Sequence, residues 1–475
     1  MTLKTIIGLE IHVELSTDTK MFCNCKNEFG KAPNTNVCPV CLGHPGALPV
    51  INKKAIEYAV MAGLAFDCEI REEFKMDRKK YFYPDLVKGY QISQDNMPLC
   101  ENGKIDLHLE DYNKTVRIQR IHIEEDTGKS IHNEAGNTLM DYNRSGVPLI
   151  EIVTYPDMNT TEEARLFLET LRERLKYLGV SDVRMEEGSL RCDVNINVVD
   201  EETGFKTKIS EIKNLNSFKS AVKALEFEEK RHRKLIEEKN EGFKETRRWN
   251  DGENATVVMR RKEEGSDYRL SVEGDIPYIR LGENFIEDIK NNLPELPHDK
   301  MNRFIEEYKI EEYDADILTR NVFLSNYFEK VVSIVNDAQL VSNWLLSTVL
   351  RQVNDNEIEV EDMNMSAENL AKLLNLVKDK KINNNTAKKT LRKMFIENFD
   401  PEKYVKEQGL VQITDDSALV GIVEEVLANN QQSIEDFKNG KDRALGYLVG
   451  QCMKASRGKG NPQKFNEMLL ERLNA

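Results

Sequence analysis

The sequence feature that most constrains the fold is a strict alternation of apolar side chains with polar side chains or glycine near the N-terminus. Every second residue from position 7 to position 15 is apolar, and the residues between them are Gly8, Glu10, His12 and Glu14. Because successive side chains of a strand point to opposite faces, this segment is predicted to be a strand with one core face. The other face carries carboxylates and an imidazole. For any single strand of this kind, the alternative is an ordinary solvated sheet surface.

Three further segments place polar residues in a similar way. Segment 189–198 alternates, segment 207–213 puts two charged residues on one side, and three acids follow an apolar run that ends at residue 123. The polar residues so placed are Arg191, Asp193, Glu211, Lys213, Glu124, Glu125 and Asp126. Several oxygen ligands with an imidazole suit Mg²⁺, which often keeps nucleotide phosphates in its shell. The chain has neither a Walker-type nor a kinase-type glycine-rich loop, and spacing alone does not make these strands neighbours.

The length and net charge of the chain limit the classes of protein to which it can belong. With 475 residues the chain exceeds what one hydrophobic core usually organises, so two or three domains are expected. It lacks a run of the roughly 18 apolar residues that a membrane span needs, and its N-terminus lacks the pattern of a secretory signal. A cytoplasmic protein without membrane attachment is therefore expected. The net charge of -15 argues against a protein that coats nucleic acid, so any RNA contact must be local.

The pattern of segments changes near residue 290. Before it, short alternating segments are separated by Gly, Pro and Asn, which is typical of an α+β fold, with helices predicted at 53–66, 160–178 and 217–240. From about residue 293 glycine disappears until Gly409 and apolar residues recur at helical spacing. The predicted domains are an α+β domain at 1–292, a helical domain at 293–405, and a small helical tail at 406–475.

Four of the eight cysteines lie close together as two pairs, Cys23 with Cys25 and Cys38 with Cys41. In a reducing cytosol this clustering indicates a metal, and the spacing fits tetrahedral zinc held by four thiolates. Because all four coordination positions would be filled, the zinc is predicted to be structural. The alternative is four buried thiols, since reduced cysteines are common in protein cores.

A local basic island interrupts the acidic chain near its C-terminus. Its members are Lys441, Arg443, Lys454, Arg457, Lys459 and Lys464. Clustered positive charge of this kind favours contact with phosphates, which weakens as salt rises. A solubilising loop between helices is the alternative on composition alone.

An ordered series of motifs runs through the chain. The motifs are IGLEIHVEL at the start, DRKKYFYPDL and GYQISQ between residues 77 and 94, HIEEDTGKS from residue 122, DYNRSGVPLIEIV from residue 141, SDVRMEEGSLRCDVN from residue 181 and EIKNLNSF from residue 211. Together they resemble the B subunits of the GatCAB amidotransferases, and the resemblance extends from the first strand to the tail.

This resemblance implies an α+β fold: a mixed-sheet cradle domain with a glutamine-synthetase-like active site, then an all-α helical domain and a small α-helical tail that contacts tRNA. It implies a glutamine-hydrolysing, tRNA-dependent carbon–nitrogen ligase that uses ATP. The B subunit would phosphorylate the side-chain carboxylate of Glu-tRNA(Gln) or Asp-tRNA(Asn), and ammonia would then displace the phosphate. Its partners in a heterotrimer would be the amidase, or A, subunit, which releases ammonia from glutamine, and the small C subunit.

Carried over position by position, the resemblance also implies site residues. The Mg²⁺ ligands fall on His12, Glu125 and Glu211, with Glu10 and Asp193 as further catalytic carboxylates. The residues expected to bind ATP or the substrate are Lys79, Tyr81, Tyr83, Arg191 and Lys213. The three basic residues among them could instead be ordinary surface charges, and the aromatic residues could serve packing.

One segment departs from the family pattern. The chain has DYRLSVEGDIPYIRL from residue 267, where the family usually has an aromatic residue and a proline after DYR. We interpret the chain as a divergent member or a second copy with altered channel or subunit contacts. Two rival hypotheses are a non-catalytic tRNA-binding protein and a free-standing ATP-dependent ligase that acts on a small carboxylate.

Overall fold

The structure is a computed structural model that describes residues 2–133, 136–261, 268–412, 416–438, 441, 443–456 and 460–474. The chain divides into two compact units, Met1–Leu296 and Pro297–Ala475. No helix among these described residues is long and apolar enough to span a membrane.

Sixteen strands are described, all in the first unit. They are β1 (Leu3–Glu14), β2 (Glu69–Ile70), β3 (Glu73–Phe74), β4 (Asp77–Lys80), β5 (Tyr90–Ser93), β6 (Cys100–His108), β7 (Asn113–Glu125), β8 (Lys129–His132), β9 (Thr138–Asp141), β10 (Pro148–Thr154), β11 (Leu190–Asp200), β12 (Ser210–Lys213), β13 (Glu245–Asn250), β14 (Ala255–Arg261), β15 (Ser271–Val272) and β16 (Ile279–Arg280). Nine of them form one sheet in the order β14–β13–β12–β11–β1–β10–β7–β6–β2. Strands β12 and β13 are parallel and the other neighbours are antiparallel, so the sheet is mixed.

The alternation predicted for the first strand is confirmed. Along β1, Ile7, Leu9, Ile11 and Val13 are fully buried, whereas the acidic and imidazole side chains between them are partly exposed. Strand β1 lies near the middle of the sheet, between β10 and β11. Its apolar face therefore belongs to the main hydrophobic core, and its polar face opens toward the strands on both sides.

Helices cover the apolar face of this sheet. The first unit contains α1 (Lys53–Ala65), α2 (Thr161–Leu178), α3 (Phe218–Glu237) and α4 (Phe285–Asn291). Helices α1 and α2 pack on β6, α1 also packs on β7, and α3 packs on β11 and β14. The helix ends carry capping residues of the types that favour them. Thr160 accepts a hydrogen bond from the Glu163 amide at the start of α2, Gly179 ends α2 in the left-handed conformation, and Ser217 caps the start of α3. The three predicted helices are thus confirmed.

The second unit is helical throughout its described residues. Its α-helices are α5 (Pro297–Tyr308), α6 (Glu312–Thr319), α7 (Val322–Val335), α8 (Ala338–Trp344), α9 (Leu350–Asp355), α10 (Ala367–Lys378), α11 (Asn384–Glu397), α12 (Pro401–Glu407), α13 (Asp416–Asn429), α14 (Gln431–Lys438), α15 (Arg443–Ala455) and α16 (Pro462–Asn474). A π-helical turn, Leu345–Val349, joins α8 to α9, and Val360–Asp362 form a short 3₁₀ helix. One buried cluster lies between Phe304 and Val405, and another between Leu419 and Leu473. The predicted α+β region followed by helices is confirmed, while the boundaries 1–292, 293–405 and 406–475 stay a prediction.

A close approach between β6 and the end of α1 yields a test of this packing. A Cβ added at Gly103 would lie 2.3 Å from the Cys68 Sγ atom and 2.8 Å from the Phe66 carbonyl oxygen. Because that carbonyl is fixed by a hydrogen bond from the Lys104 amide, Gly103→Ala should cost about 1–3 kcal/mol of stability through overpacking. At Gly282 an added Cβ meets no atom within 4 Å, so Gly282→Ala is the control. Thermal unfolding should show a lower midpoint for the first variant only; equal midpoints would contradict the packing described.

Candidate active site and metal centre

The polar face of the nine-stranded sheet lines a cavity of about 1550 Å³. Residues from five of its strands reach the cavity wall. The charged residues that these strands, and Asp126 directly after β7, place in the wall are His12, Glu14, Glu124, Asp126, Arg191, Asp193 and Lys213. The cavity therefore has both acids and cations in its wall, and the sequence segments 7–15, 189–198 and 207–213 do meet in the fold.

One group of carboxylates spans β1, β11 and β12. Glu10 pairs with Asp193 across β1 and β11, and Asn195 pairs with Glu211 across β11 and β12. One carboxylate oxygen from each of Glu10, Asp193 and Glu211 lies within 4.8 Å of the other two. Burial, reinforced by nearby carboxylates, raises the pKa of Glu10. This crowding of negative charge is what a bound cation would relieve.

Lys213 is the cation that the chain itself supplies to this group. Its Nζ atom contacts Asp193 and lies 3.1 Å from the Glu211 Oε1 atom. Although burial disfavours its charge, the two carboxylates hold the pKa of Lys213 above its usual value. Thr246 donates a further hydrogen bond of 2.8 Å to Glu211 Oε2, so the Glu211 carboxylate is held from two sides.

A second group combines two imidazoles with two carboxylates. His12 Nε2 lies 3.5 Å from an oxygen of Glu124 and 3.5 Å from an oxygen of Glu151. On the other side, His122 Nε2 lies 3.6 Å from Glu124 and 3.3 Å from Glu151. Burial alone would lower the pKa of His122, but Glu151 and Glu124 raise it to about 9. His122 is therefore cationic at neutral pH and balances the buried carboxylates.

Glu125 is not brought to His12 and Glu211, so the predicted ligand set does not assemble as one site. In β7 alternate residues share a face, and Glu125 lies on the face opposite Glu124. Its carboxylate contacts the Lys88 ammonium and accepts a hydrogen bond of 3.0 Å from the Ile92 amide. Glu124 occupies the place near His12 that was predicted for Glu125. The difference between the two acids is one of parity, because adjacent residues of a strand point to opposite faces, and a role of Glu125 as a metal ligand stays a prediction.

Arg191 enters the cavity from β11, as expected. Its guanidinium donates a hydrogen bond of 2.7 Å to Asp126 Oδ2, and Arg144 Nε lies 3.3 Å from the same oxygen. Glu14 lies beside this pair, where burial and the Asp126 charge raise the pKa of Glu14 to about 8. The cavity wall thus holds a cationic pair around Asp126, with Glu14 largely protonated at neutral pH.

The motif residues of β4 and of the loop that follows it separate into two environments. Lys79 and Tyr81 line the cavity, and the Lys79 ammonium lies 4.9 Å from the centroid of the Tyr268 ring. Tyr83 does not line it, and its side chain is 68% exposed. The structure thus places Tyr83 outside this cavity, and a role for it in substrate binding stays a prediction.

The four clustered cysteines converge. One Sγ atom from each of Cys23, Cys25, Cys38 and Cys41 lies within 4.8 Å of the others. The Cys23 thiol donates a hydrogen bond that, with the nearby ammonium of fully buried Lys20, holds the pKa of Cys41 well below its usual range. Lys20 Nζ lies 3.7 Å from Cys41 Sγ. The donors are thus of the kind and closeness that a tetrahedral soft-metal site needs.

Two residues of the site were missed by sequence reasoning. Glu151 and His122 face each other across β10 and β7 and complete the group around His12. A signal for Glu151 was available, since it is the one charged residue of the buried segment PLIEIVT. A charge inside a buried strand is costly unless it is paired, which marks such a residue as part of a site.

The basic island is only partly described. Arg457 and Lys459 lie outside the described residues, as does Asp267 of the divergent segment. Lys441 is exposed and lies 2.9 Å from Asp436, so part of its charge is compensated. Arg443 and Lys454 are exposed on α15, and Lys464 on α16 is partly exposed.

The divergent segment is anchored to the DRKK motif. Strand β15 pairs with β4, and fully buried Glu273 accepts two hydrogen bonds from Arg78, of 2.8 and 2.6 Å. Asp275 accepts a further hydrogen bond of 3.0 Å from Arg78. The acids retained in this segment therefore hold the strand that carries Lys79.

Comparison with known proteins gives matches along nearly the whole chain. Residues 5–287 match the family model described as the GatB/GatE catalytic domain, and residues 326–473 match the model described as the GatB domain. A protein from Finegoldia magna, named as the B subunit of an aspartyl/glutamyl-tRNA(Asn/Gln) amidotransferase, is 70% identical over 473 residues, which cover 100% of both chains. Proteins of the same name from Caldicellulosiruptor saccharolyticus and Clostridium tetani are 50% and 48% identical, over 100% of this chain and 99% of theirs.

The charge balance around His122 can be measured directly. In EDTA-treated protein labelled at histidine, NMR titration should show the His122 imidazole losing its proton near pH 9, because two buried carboxylates favour the cation. His122→Gln identifies the signal. Glu151→Gln should lower that pKa by removing the carboxylate with the largest effect. A wild-type midpoint at or below about 6.5, the ordinary histidine value, would contradict this description.

Proposed function

The chain belongs to the GatB family of amidotransferase subunits, and from this membership we propose that it activates the side-chain carboxylate of a mischarged aminoacyl-tRNA with ATP. The proposed substrates are Glu-tRNA(Gln) and Asp-tRNA(Asn), the proposed partners are the A and C subunits of a heterotrimer, and the proposed location is the cytoplasm. The observation that carries the proposal is the joint placement of two carboxylate groups with Arg191 and Lys213 on one face of the nine-stranded sheet, with Lys79 of β4 in the wall of the same cavity.

The reaction has two steps with simple atom balance. A side-chain carboxylate oxygen of the aminoacyl-tRNA attacks the γ-phosphorus of ATP, the bond to the β–γ bridging oxygen breaks, and ADP leaves. Ammonia then attacks the carbonyl carbon of the acyl phosphate, inorganic phosphate leaves with its bonding electrons, and a proton is lost from nitrogen. The product is Gln-tRNA(Gln) or Asn-tRNA(Asn). Catalysis of such steps depends mainly on position and charge stabilisation.

The first carboxylate group is the part of the chain suited to hold Mg²⁺. Glu10, Asp193 and Glu211 offer three oxygen donors within 4.8 Å of one another, with excess negative charge to relieve. Mg²⁺ bound there would neutralise negative charge on the phosphates. His12, Glu124 and Glu151 form a second such group, and Glu125 is not part of either.

The cations of the cavity wall have separable roles in this proposal. Lys213 keeps Asp193 and Glu211 in place, so it orients oxygen donors as well as attracting phosphate. Arg191 lies directly opposite His12 across β1 and β11, is hydrogen-bonded to Asp126, and suits orientation of the substrate carboxylate. Lys79 contacts an aromatic ring and no carboxylate among the described residues, so its ammonium is available to a phosphate oxygen.

Two supporting sites complete the proposal. Zn²⁺ held by Cys23, Cys25, Cys38 and Cys41 would stabilise the loops before α1, since the four thiols would fill its coordination shell. The tail, through the described residues Lys441, Arg443 and Lys454, would contact the tRNA backbone. Exposed Arg443 and Lys454 lie near the two ends of α15, which suits an extended polyanion.

Removal of one oxygen donor tests the activation step. In the purified complex, Glu211→Ala should lower tRNA-dependent release of γ-phosphate from ATP by about 100-fold or more, because it removes charge stabilisation of the transition state. Glutaminase activity of the complex should be unchanged. Glu226→Ala, at an exposed position of α3, is the matched control and should behave like the wild type. Retained ATP turnover in Glu211→Ala would refute the assignment, and turnover without tRNA would favour a free-standing ligase.

Metal content tests the cysteine cluster. Elemental analysis of freshly purified protein should give about one zinc per chain, and a Cys23→Ser/Cys38→Ser double variant should lose it, since two thiolate ligands are removed. Cys68→Ala alters a buried cysteine outside the cluster and should keep the metal. Substoichiometric zinc in the wild-type protein would count against the site.

A further inference from the structure

The two strands at one edge of the large sheet carry arginines that have no charge partner among the described residues. Strand β13 contains Arg248, and β14, the outermost strand, contains Arg260. Both side chains are exposed, and neither makes an ion pair or hydrogen bond with another described residue. This is unusual in a chain of net charge -15, where most cations of the site are paired with acids.

Register fixes the face on which these arginines lie. Thr246 donates to Glu211, so it is on the cavity side of β13, whereas Arg247 contacts Glu228 of α3 on the opposite side. Arg248 is two residues beyond Thr246 and therefore also faces the cavity side. Arg260 pairs with Thr246 across β13 and β14, so it shares that face.

The same register links the arginines to the candidate active site. Lys213 and Arg248 are direct neighbours across β12 and β13, and Glu211 is the corresponding neighbour of Thr246. With strands roughly 4.8 Å apart, Arg260 lies on the order of 10 Å from the strand that carries Glu211. Polar groups thus continue outward from the carboxylates through Lys213 to two guanidinium groups that have no partner in the described part of the chain.

The position of the arginines indicates a ligand that is larger than a nucleotide. Arg248 and Arg260 do not line the cavity, whereas Lys213 does. A ligand that reaches from the cavity to both arginines must extend over the sheet edge into solvent. Guanidinium groups bind phosphate oxygens through paired hydrogen bonds, and an anion approaching this acidic chain needs such local compensation.

We propose that Arg248 and Arg260 bind backbone phosphates at the aminoacylated end of the tRNA and so hold its terminal residue over the carboxylate groups. The assignment rests on the proposed function, and it adds a second RNA contact on the catalytic unit itself. The two residues position the substrate and take no part in the bond changes.

Binding and kinetics of the complete amidotransferase complex test the assignment. An Arg248→Gln/Arg260→Gln double variant should bind Glu-tRNA(Gln) about tenfold more weakly, and its slope of log Kd against log salt should fall by about 1.4, for two single-strand phosphate contacts. The KM for tRNA should rise by a similar factor. The KM for ATP, kcat at saturating tRNA and glutaminase activity should stay unchanged.

Arg261→Gln is the matched control. Arg261 is exposed on β14 like Arg260, but in the strand register it lies opposite Glu245, which is on the other face from Thr246. Its guanidinium packs over the Phe243 ring, 3.9 Å from the ring centroid. It should bind tRNA like the wild type. An Arg248→Lys/Arg260→Lys variant keeps the charge and should recover the salt slope but only part of the affinity, since lysine lacks the planar fork. Circular dichroism and thermal unfolding of each variant exclude loss of the sheet edge as the cause.

Three outcomes would overturn the assignment. They are unchanged tRNA affinity and salt slope in the double glutamine variant, a raised KM for ATP with unchanged KM for tRNA, and an equal loss of affinity in Arg261→Gln. Failure of the proposed function is a separate result, because it would show as a wild-type complex whose ATP turnover does not depend on aminoacyl-tRNA. If the wild type turns over with tRNA and the double variant binds normally, only the arginine assignment is wrong.

Discussion

Burial of several carboxylates on one face of a β-sheet is the constraint on which this molecule depends. Glu124 and Glu151 are nearly inaccessible, and a buried charge costs several kcal/mol unless a partner of opposite sign is held next to it. His122 supplies that charge to both carboxylates, since it lies on the same strand as Glu124 and directly opposite Glu151 on the neighbouring strand, a pairing that only the native register maintains. The strand register that stabilises the sheet is therefore also the register that assembles the site.

The strands that carry the site also carry the core. Ile11 and His12 are consecutive residues of β1, one packed in the main hydrophobic cluster and the other facing the cavity. A slip of one residue in the pairing of β1 would exchange these faces, exposing the apolar row and burying the acids without partners. Because helices α1 to α3 cover the apolar side, such a slip is strongly disfavoured, and the site gains a rigid support.

The pairing of cations with carboxylates changes from the middle of the polar face to its edge. Near the middle of the sheet each cation of the face has a carboxylate neighbour, as Arg191 has Asp126, whereas at the edge Arg248 and Arg260 have none among the described residues. An anionic ligand that enters the cavity must compete with the chain's own acids there, whereas at the edge it meets two arginines that no described acid engages. This difference separates groups suited to organise chemistry from groups suited to hold a polyanion.

The sequence by itself determined the local elements: the strand of alternating residues from Ile7 to Leu15, the capped helix after Thr160, the helical second half and the clustering of cysteines. Each depends on neighbours within a few residues, whose periodicity or capping chemistry can be read directly. Only the tertiary structure decided which acids meet, since Glu151 and His122 reach His12 through pairing between strands far apart in sequence. It also decided that Glu124 rather than Glu125 faces the cavity. Pairing with the neighbouring strand fixes which of two adjacent residues points to each face of the sheet.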